Sequence, residues 1–164
     1  MTTSPTLSAY ERQLARTAEY SRKRTAAGAE IGILPSVVNS RRKKKASKDL
    51  GYFLRTYFPA AFNLKFSPAH KEVIKLVQQA VLDGGLFAVA MPRSSGKSAI
   101  LLRALIWSAL YAHHRFLFLI AANEQMSKSL LASFKSEIEN NPLLYEDFPE
   151  IAHAVRALEC LGSA

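Results

Sequence analysis

The chain has 164 residues, 49% of them apolar, and a formal net charge of +9. This length suits one domain with a hydrophobic core, and the single cysteine excludes an internal disulfide. No apolar run reaches the roughly 18 residues of a membrane span, and the first residues lack the apolar centre of a signal peptide. We therefore expect a protein of the reducing cytoplasm with no membrane partner.

The charge is concentrated at the N-terminal end. Residues 1–48 hold 11 of the 22 Lys and Arg residues but only 3 of the 13 Asp and Glu residues. We predict a basic N-terminal arm and linker over residues 1–48, with a helix over residues 7–27. A run of five cations suits contacts with the phosphates of nucleic acid, most simply non-specific double-stranded DNA; its members are Arg41, Arg42, Lys43, Lys44 and Lys45. A merely solvated run, or a localisation or partner signal, is the alternative.

Two helices are predicted after this arm. The clearer one covers residues 67–82, because Ser67 can cap its first turn and Pro68 tolerates the first helical position. A pair of glycines then ends it. A shorter helix is predicted over residues 49–57.

Residues 91–98, Met-Pro-Arg-Ser-Ser-Gly-Lys-Ser, follow a predicted strand at residues 86–90 and lead into a predicted helix over residues 97–112. In this context backbone N–H groups and a helix N-terminus attract phosphate. Lys97 is expected to reach the β- and γ-phosphates of ATP, and Ser98 to hold Mg²⁺. The alternative is a turn with a solvated lysine. The predicted cofactor-binding residues of the loop are Pro92, Arg93, Ser94, Ser95, Gly96, Lys97 and Ser98.

A second apolar run predicts a strand over residues 116–121, and Asn123 can cap a helix over residues 124–140. The buried edge of that helix is expected to consist of Met126, Leu130, Phe134 and Ile138. Strands that alternate with helices predict an α/β three-layer sandwich of the P-loop NTPase type, with two parallel strands, over residues 49–164.

The pattern Met-Pro-Arg-x-x-Gly-Lys-Ser, with Met91 in place of the first glycine, resembles the deviant Walker A motif of tailed-phage large terminase subunits, the motors that package viral DNA. Similarity covers about residues 49–158, with supporting segments Tyr57-Phe58-Pro59, Phe66-Ser67-Pro68 and Asp147-Phe148-Pro149-Glu150. The resemblance implies the N-terminal part of an ATPase domain, with ATP and Mg²⁺ as cofactors. It also implies the portal protein and the small terminase subunit as partners in the cytoplasm of a bacterial host.

The resemblance assigns roles to individual residues. Arg93 would sense or stabilise the γ-phosphate, and Arg93 and Lys97 would be the catalytic residues. Phe66 would pack on adenine, and His70 lies where related motors read the edge of adenine with a glutamine. Ordinary core packing of Phe66 and a helix-end role for His70 are the alternatives.

The sequence lacks recognisable parts of an intact motor, namely the acidic Walker B strand, the catalytic glutamate and the nuclease domain. Glu146 and Asp147 come in the reverse order, and Pro142 and Pro149 leave no room for a core strand around them. We expect the ATP-binding segment of a truncated or split terminase. The alternatives are a fragment of a helicase-like or other P-loop ATPase, and a non-catalytic nucleic-acid-binding protein that acts through its basic arm.

Overall fold

A computed structural model describes residues 9–29 and 33–162 of the chain. This part contains eight helices, with the bounds α1 (Ala9–Ala29), α2 (Ser40–Ala46), α3 (Leu50–Tyr57), α4 (Pro68–Leu82), α5 (Lys97–Leu110), α6 (Glu124–Asn140), α7 (Pro142–Asp147) and α8 (Pro149–Gly162). No β-strand occurs among these residues. None of the helices is both long and apolar enough to cross a membrane.

The predicted α/β sandwich is wrong, because the two apolar segments predicted as strands form no sheet. Residues 84–92 and 116–121 contain neither helix nor strand. Several of their large apolar side chains are exposed, among them Leu86, Phe116, Phe118 and Ile120. A strand forms only where a second backbone takes up its hydrogen bonds, and within the described ranges no such neighbour is present. An apolar and aromatic composition alone is therefore insufficient.

The helices predicted over residues 49–57, 67–82 and 124–140 are confirmed, and each begins with a side-chain cap. Ser67, Asn123 and Asp49 each accept a backbone hydrogen bond in the first turn of α4, α6 and α3, respectively. The predicted helix over residues 7–27 is confirmed from Ala9 onwards, and its first two residues lie outside the described part. Local side-chain chemistry thus decides where these helices begin.

Two helices differ from prediction in detail. Helix α5 ends at Leu110, two residues early, and Ala112 adopts a left-handed φ of 50° that no helix continues. On α6 only Ile138 of the predicted apolar edge is buried, while Leu130 and Phe134 are half-buried and Met126 is 51% exposed. The neighbours of α6 therefore cover only its C-terminal part.

The core lies between α2, α3, α4, α5, the C-terminal part of α6, α7 and α8. Its largest fully buried side chains include Trp107, Tyr57, Phe53 and Phe148. The ring centroids of Phe53 and Tyr57 are 4.9 Å apart, and those of Tyr57 and Phe148 are 5.8 Å apart. Loss of one such ring costs about 3–5 kcal/mol of stability. Because Trp107 belongs to α5, the core holds in place the helix that starts with the Gly-Lys-Ser sequence.

Helix α2, which carries the basic run, belongs to this packed body. The indole N–H of Trp107 donates to the carbonyl of Ala46 at 2.8 Å, and the hydroxyl of Tyr111 donates to the carbonyl of Lys43 at 2.6 Å. Helix α2 also packs on α3 and α7. The backbone of α2 therefore has a fixed position relative to the rest of the fold.

Candidate nucleotide-binding site

The loop before α5 has a backbone conformation that few residues tolerate. Ser94 has a φ of 60° and Gly96 a φ of 79°, both in the left-handed region. Gly96 is required for this conformation rather than for space, since an added Cβ would meet nothing within 4 Å. The same region costs Ser94 about 1–2 kcal/mol. Strained backbone of this kind is concentrated at ligand sites, and here it turns the chain tightly into α5.

Lys97 folds back over this loop. Its ammonium group donates to the carbonyl of Met91 at 2.6 Å and to the carbonyl of Pro92 at 2.8 Å. An ammonium group has three donors, so one is left over within the described structure. The positive charge of Lys97 is thereby held over the turn, next to the start of α5.

The first turn of α5 offers further donors. Its N-cap, Gly96, has no side chain, so the backbone N–H groups of residues 97–99 have no side-chain cap. The helix adds roughly half a positive charge at this end, and no acidic residue lies in the first turn to offset it. In addition, Ser95 Oγ is buried and has no hydrogen-bond partner among the described residues. These features together favour an anion at the loop.

Two adjacent cavities open beside the loop. One, of about 330 Å³, is lined by residues 94–99 alone. The other, of about 280 Å³, shares part of that lining and extends to Phe62, Phe66 and His70. The rings of Phe62 and Phe66 lie 5.6 Å apart, so this second cavity has an aromatic wall. A polar compartment next to an aromatic one suits a ligand with a charged and a planar part.

His70 connects α4 to the loop. Its Nε2 lies 2.8 Å from the carbonyl oxygen of Ser95, and its Nδ1 lies 2.8 Å from Ser67 Oγ and 3.3 Å from the backbone nitrogen of Ser67. A carbonyl only accepts, so Nε2 carries the proton and Nδ1 accepts from the N–H of Ser67. The prediction placed His70 at the edge of adenine, whereas the structure places it against the loop backbone.

The remaining predicted loop residues are more exposed. Pro92, Arg93 and Ser98 are exposed. Ser98 and Lys97 line the cavity of about 330 Å³, but Arg93 lines neither cavity. The structure therefore brings Lys97, Ser95, His70 and Phe66 together around the loop and leaves Arg93 in solvent.

Asp147 is buried in a different part of the fold. It accepts hydrogen bonds from Arg42 Nε at 2.5 Å, from the hydroxyl of Tyr57 at 2.6 Å and from the backbone N–H of Asn39 at 3.1 Å. Burial favours a higher pKa for Asp147, but the hydrogen bonds from Arg42 and Tyr57 outweigh it and lower the pKa. Burial and the bond to Asp147 raise the pKa of Tyr57. The Asp147 carboxylate therefore stabilises the fold. Separately, the described residues contain no group of three His, Cys, Asp or Glu that could hold a metal.

The basic run on α2 is divided between internal and exposed cations. Arg42 also pairs with Glu146 at 2.7 Å, and Lys43 pairs with Glu150 at 2.6 Å. Arg41 and Lys44 are exposed and form no salt bridge within the described residues.

Sequence reasoning missed these ion pairs. The available signal was charge complementarity, because the densest basic segment has its counterpart in the acidic segment that contains Glu146, Asp147 and Glu150. Of the five predicted nucleic-acid contacts, Arg41 and Lys44 are exposed and have no carboxylate partner in the described ranges, while the ammonium group of Lys45 lies 4.3 Å from the ring centre of Tyr52.

The arrangement around α5 can hold a polyphosphate through Lys97 and the first-turn N–H groups, with room for a planar group beside Phe66. No protein-family model matches the chain, and neither a curated protein nor a solved structure is significantly similar to it.

Proposed function

We propose that the chain binds ATP with Mg²⁺ at residues 91–98, as the nucleotide-binding segment of a DNA-packaging motor of the large terminase type. The observation that carries this proposal is the position of Lys97, which is folded over a strained turn beside the uncapped N-terminus of α5. A cation, free backbone donors and a helix dipole converge there on one small cavity. The terminase assignment adds the resemblance of the loop sequence.

Each residue around the loop would contact a different part of the Mg²⁺-nucleotide. Lys97 and the N–H groups of residues 97–99 would bind the β- and γ-phosphates, and Ser95 Oγ would gain the partner that it lacks. Ser98 would give one oxygen to Mg²⁺, which commonly takes one or two protein ligands and fills its other positions with phosphate oxygens and water. Phe66 would stack on the base, in the aromatic cavity.

The proposed macromolecular partner is double-stranded DNA, contacted without sequence preference by the exposed cations of α2. Arg41 and Lys44 support this because both are exposed and neither forms a salt bridge within the part of the chain that the structure describes. The portal protein, the small terminase subunit and the cytoplasm of a bacterial host belong to the proposal through the terminase resemblance. If the chain binds DNA but no nucleotide, it is instead a non-catalytic nucleic-acid-binding protein that acts through its basic segment.

Isothermal titration calorimetry with ATP and Mg²⁺ tests the nucleotide site. Lys97→Ala removes a charge-assisted contact of about 1.5–3 kcal/mol, which lowers the affinity about 10- to 150-fold. The matched control is Lys128→Ala, since Lys128 forms an exposed pair with Glu124 on α6 and its loss should leave the affinity unchanged. Equal ATP affinity in the wild type and in Lys97→Ala would refute the proposed site.

A further inference from the structure

Both ring nitrogens of His70 are occupied by the protein itself. Nε2 donates to the carbonyl of Ser95, and Nδ1 accepts from Ser67 at the start of α4. The ring thus joins the capping box of α4 to the middle of the phosphate-binding loop. Ser95 lies between the two residues with left-handed φ, Ser94 and Gly96, so the bond from His70 reaches the loop between them.

These bonds prevent His70 from reading a base. A neutral imidazole has one donor and one acceptor, and both are used. To contact the edge of a base, His70 would have to release the Ser95 carbonyl or the N–H of Ser67. Its contribution to the aromatic cavity is ring surface, with its ring 6.3 Å from that of Phe66.

We propose that His70 is a positioning residue that fixes the loop around Ser95 in its anion-binding shape, and that the site selects ligands by their polyphosphate rather than by their base. The ligand class is then nucleoside triphosphates in general, with the base held by stacking on Phe66. Stacking is tolerant of base identity because every base has a π-face. This inference rests on the proposed nucleotide site.

The test uses three ligands, each with Mg²⁺: ATP, GTP and inorganic tripolyphosphate. Calorimetry on the full chain compares the wild type with His70→Ala, His70→Gln and Phe66→Ala, and thermal melting verifies that each variant is folded. His70→Ala should lower the affinity for all three ligands by the same factor, about tenfold, because the loop shape is lost. Phe66→Ala should lower the affinity for ATP and GTP but leave that for tripolyphosphate unchanged.

His70→Gln keeps the inference testable if His70→Ala does not fold. A glutamine amide can donate to the Ser95 carbonyl, so His70→Gln should recover most of the affinity for tripolyphosphate, which has no base. A loss of affinity confined to ATP, in His70→Ala or in His70→Gln, would make His70 a base-reading residue and overturn the inference while the nucleotide site stands. If the wild type binds none of the three ligands, or if Lys97→Ala binds as well as the wild type, both proposals fail.

Discussion

Arg42 on α2 and Asp147 on α7 lie 105 positions apart in the sequence and form a two-point ion pair. Arg42 Nε is 2.5 Å from Asp147 Oδ2, and Arg42 Nη2 is 2.9 Å from Asp147 Oδ1. The side chain of Asp147 is fully buried, and Tyr57 donates a further hydrogen bond to it. A charge so buried depends on its partners, since water cannot replace them.

Asp147→Asn should therefore destabilise the fold. The substitution keeps the shape but removes the charge, and among the described residues it leaves Glu146 as the one charged partner of the Arg42 guanidinium. We expect a loss of about 2–4 kcal/mol in the free energy of unfolding, measured by urea denaturation at pH 7. The control is Glu146→Gln, which should cost less than about 1 kcal/mol because the side chain of Glu146 is 42% exposed. Equal losses in the two variants would contradict this ranking.

The same pair predicts a pH dependence. The pKa of Asp147 is lower in the folded protein than in the unfolded chain, so the unfolded chain takes up the proton first as the pH falls. The stabilisation by Asp147 is complete above the unfolded value of about 4 and is lost progressively below it. Urea denaturation between pH 3 and pH 6 should show a steeper acid-side loss in the wild type than in Asp147→Asn. Parallel curves would indicate that another carboxylate is responsible.

Five of the eight described helices, namely α1, α3, α4, α5 and α6, could be predicted from the sequence because their signals are local, whereas α2, α7 and α8 were not predicted. Ser67 and Asn123 act on N–H groups within three residues of themselves, and both caps are confirmed. The predicted sheet was wrong because a strand at residues 116–121 requires a neighbouring strand to take up its hydrogen bonds. The composition of a segment does not show whether such a neighbour exists. The apolar content of that segment is real, but the described residues supply no second backbone to pair with it.

In the candidate site, too, the local features could be predicted and the long-range contacts could not. The turn and the start of α5 at Lys97 were predictable from the Gly-Lys-Ser sequence and the apolar run after it. The bond from His70 to Ser95 spans 25 positions and joins a helix start to a loop, and no periodicity reveals such a contact. The pairing of Arg42 with Asp147 was missed for the same reason.

Arg93→Ala should weaken the binding of ATP more than that of ADP. Arg93 belongs to the loop and is exposed, so its long side chain can turn toward a γ-phosphate bound beside Lys97. We expect about a tenfold loss for ATP and less than about twofold for ADP, from calorimetry with Mg²⁺ present. Arg115→Ala, which removes another exposed arginine, serves as the control. Equal losses for the two nucleotides would place Arg93 away from the γ-phosphate.

DNA binding should depend on the exposed cations of α2 and fall with salt. At most three of the five basic residues in the run are available, because Arg42 and Lys43 are paired with carboxylates. The slope of log affinity against log salt should then be near −3. The double variant Arg41→Ala, Lys44→Ala should make this slope about 2 units shallower without lowering stability.

The control for that experiment removes two exposed cations from α4, in the double variant Lys71→Ala, Lys75→Ala. It changes the net charge by the same amount, so an equal change of slope would show a general charge effect. Fluorescence anisotropy with a short duplex at several salt concentrations measures both variants. A DNA affinity that does not change with salt concentration would exclude phosphate contacts by α2.

The final prediction is that this chain binds ATP but does not turn it over. Hydrolysis needs an acidic ligand that fixes Mg²⁺ and a carboxylate that orients the attacking water. Ser98 supplies only a hydroxyl. Glu146 and Asp147 bind Arg42, and their helix α7 packs on α2, α6 and α8. Without an acidic Mg²⁺ ligand and a water-orienting carboxylate, the bound Mg²⁺, Arg93 and Lys97 should accelerate hydrolysis only a little. Phosphoryl transfer is catalysed mainly by positioning and electrostatic stabilisation, and both would be incomplete.

Steady-state phosphate release by monodisperse protein measures this turnover, with Lys97→Ala as the blank. We expect the two rates to agree within experimental error even when calorimetry shows that the wild type is saturated with ATP. Turnover near 1 per second that depends on Lys97 would mean that a carboxylate reaches the nucleotide after all. Glu146→Gln would then be the first variant to measure, because Glu146 is the more exposed acid of its pair and could leave Arg42 without exposing a buried charge.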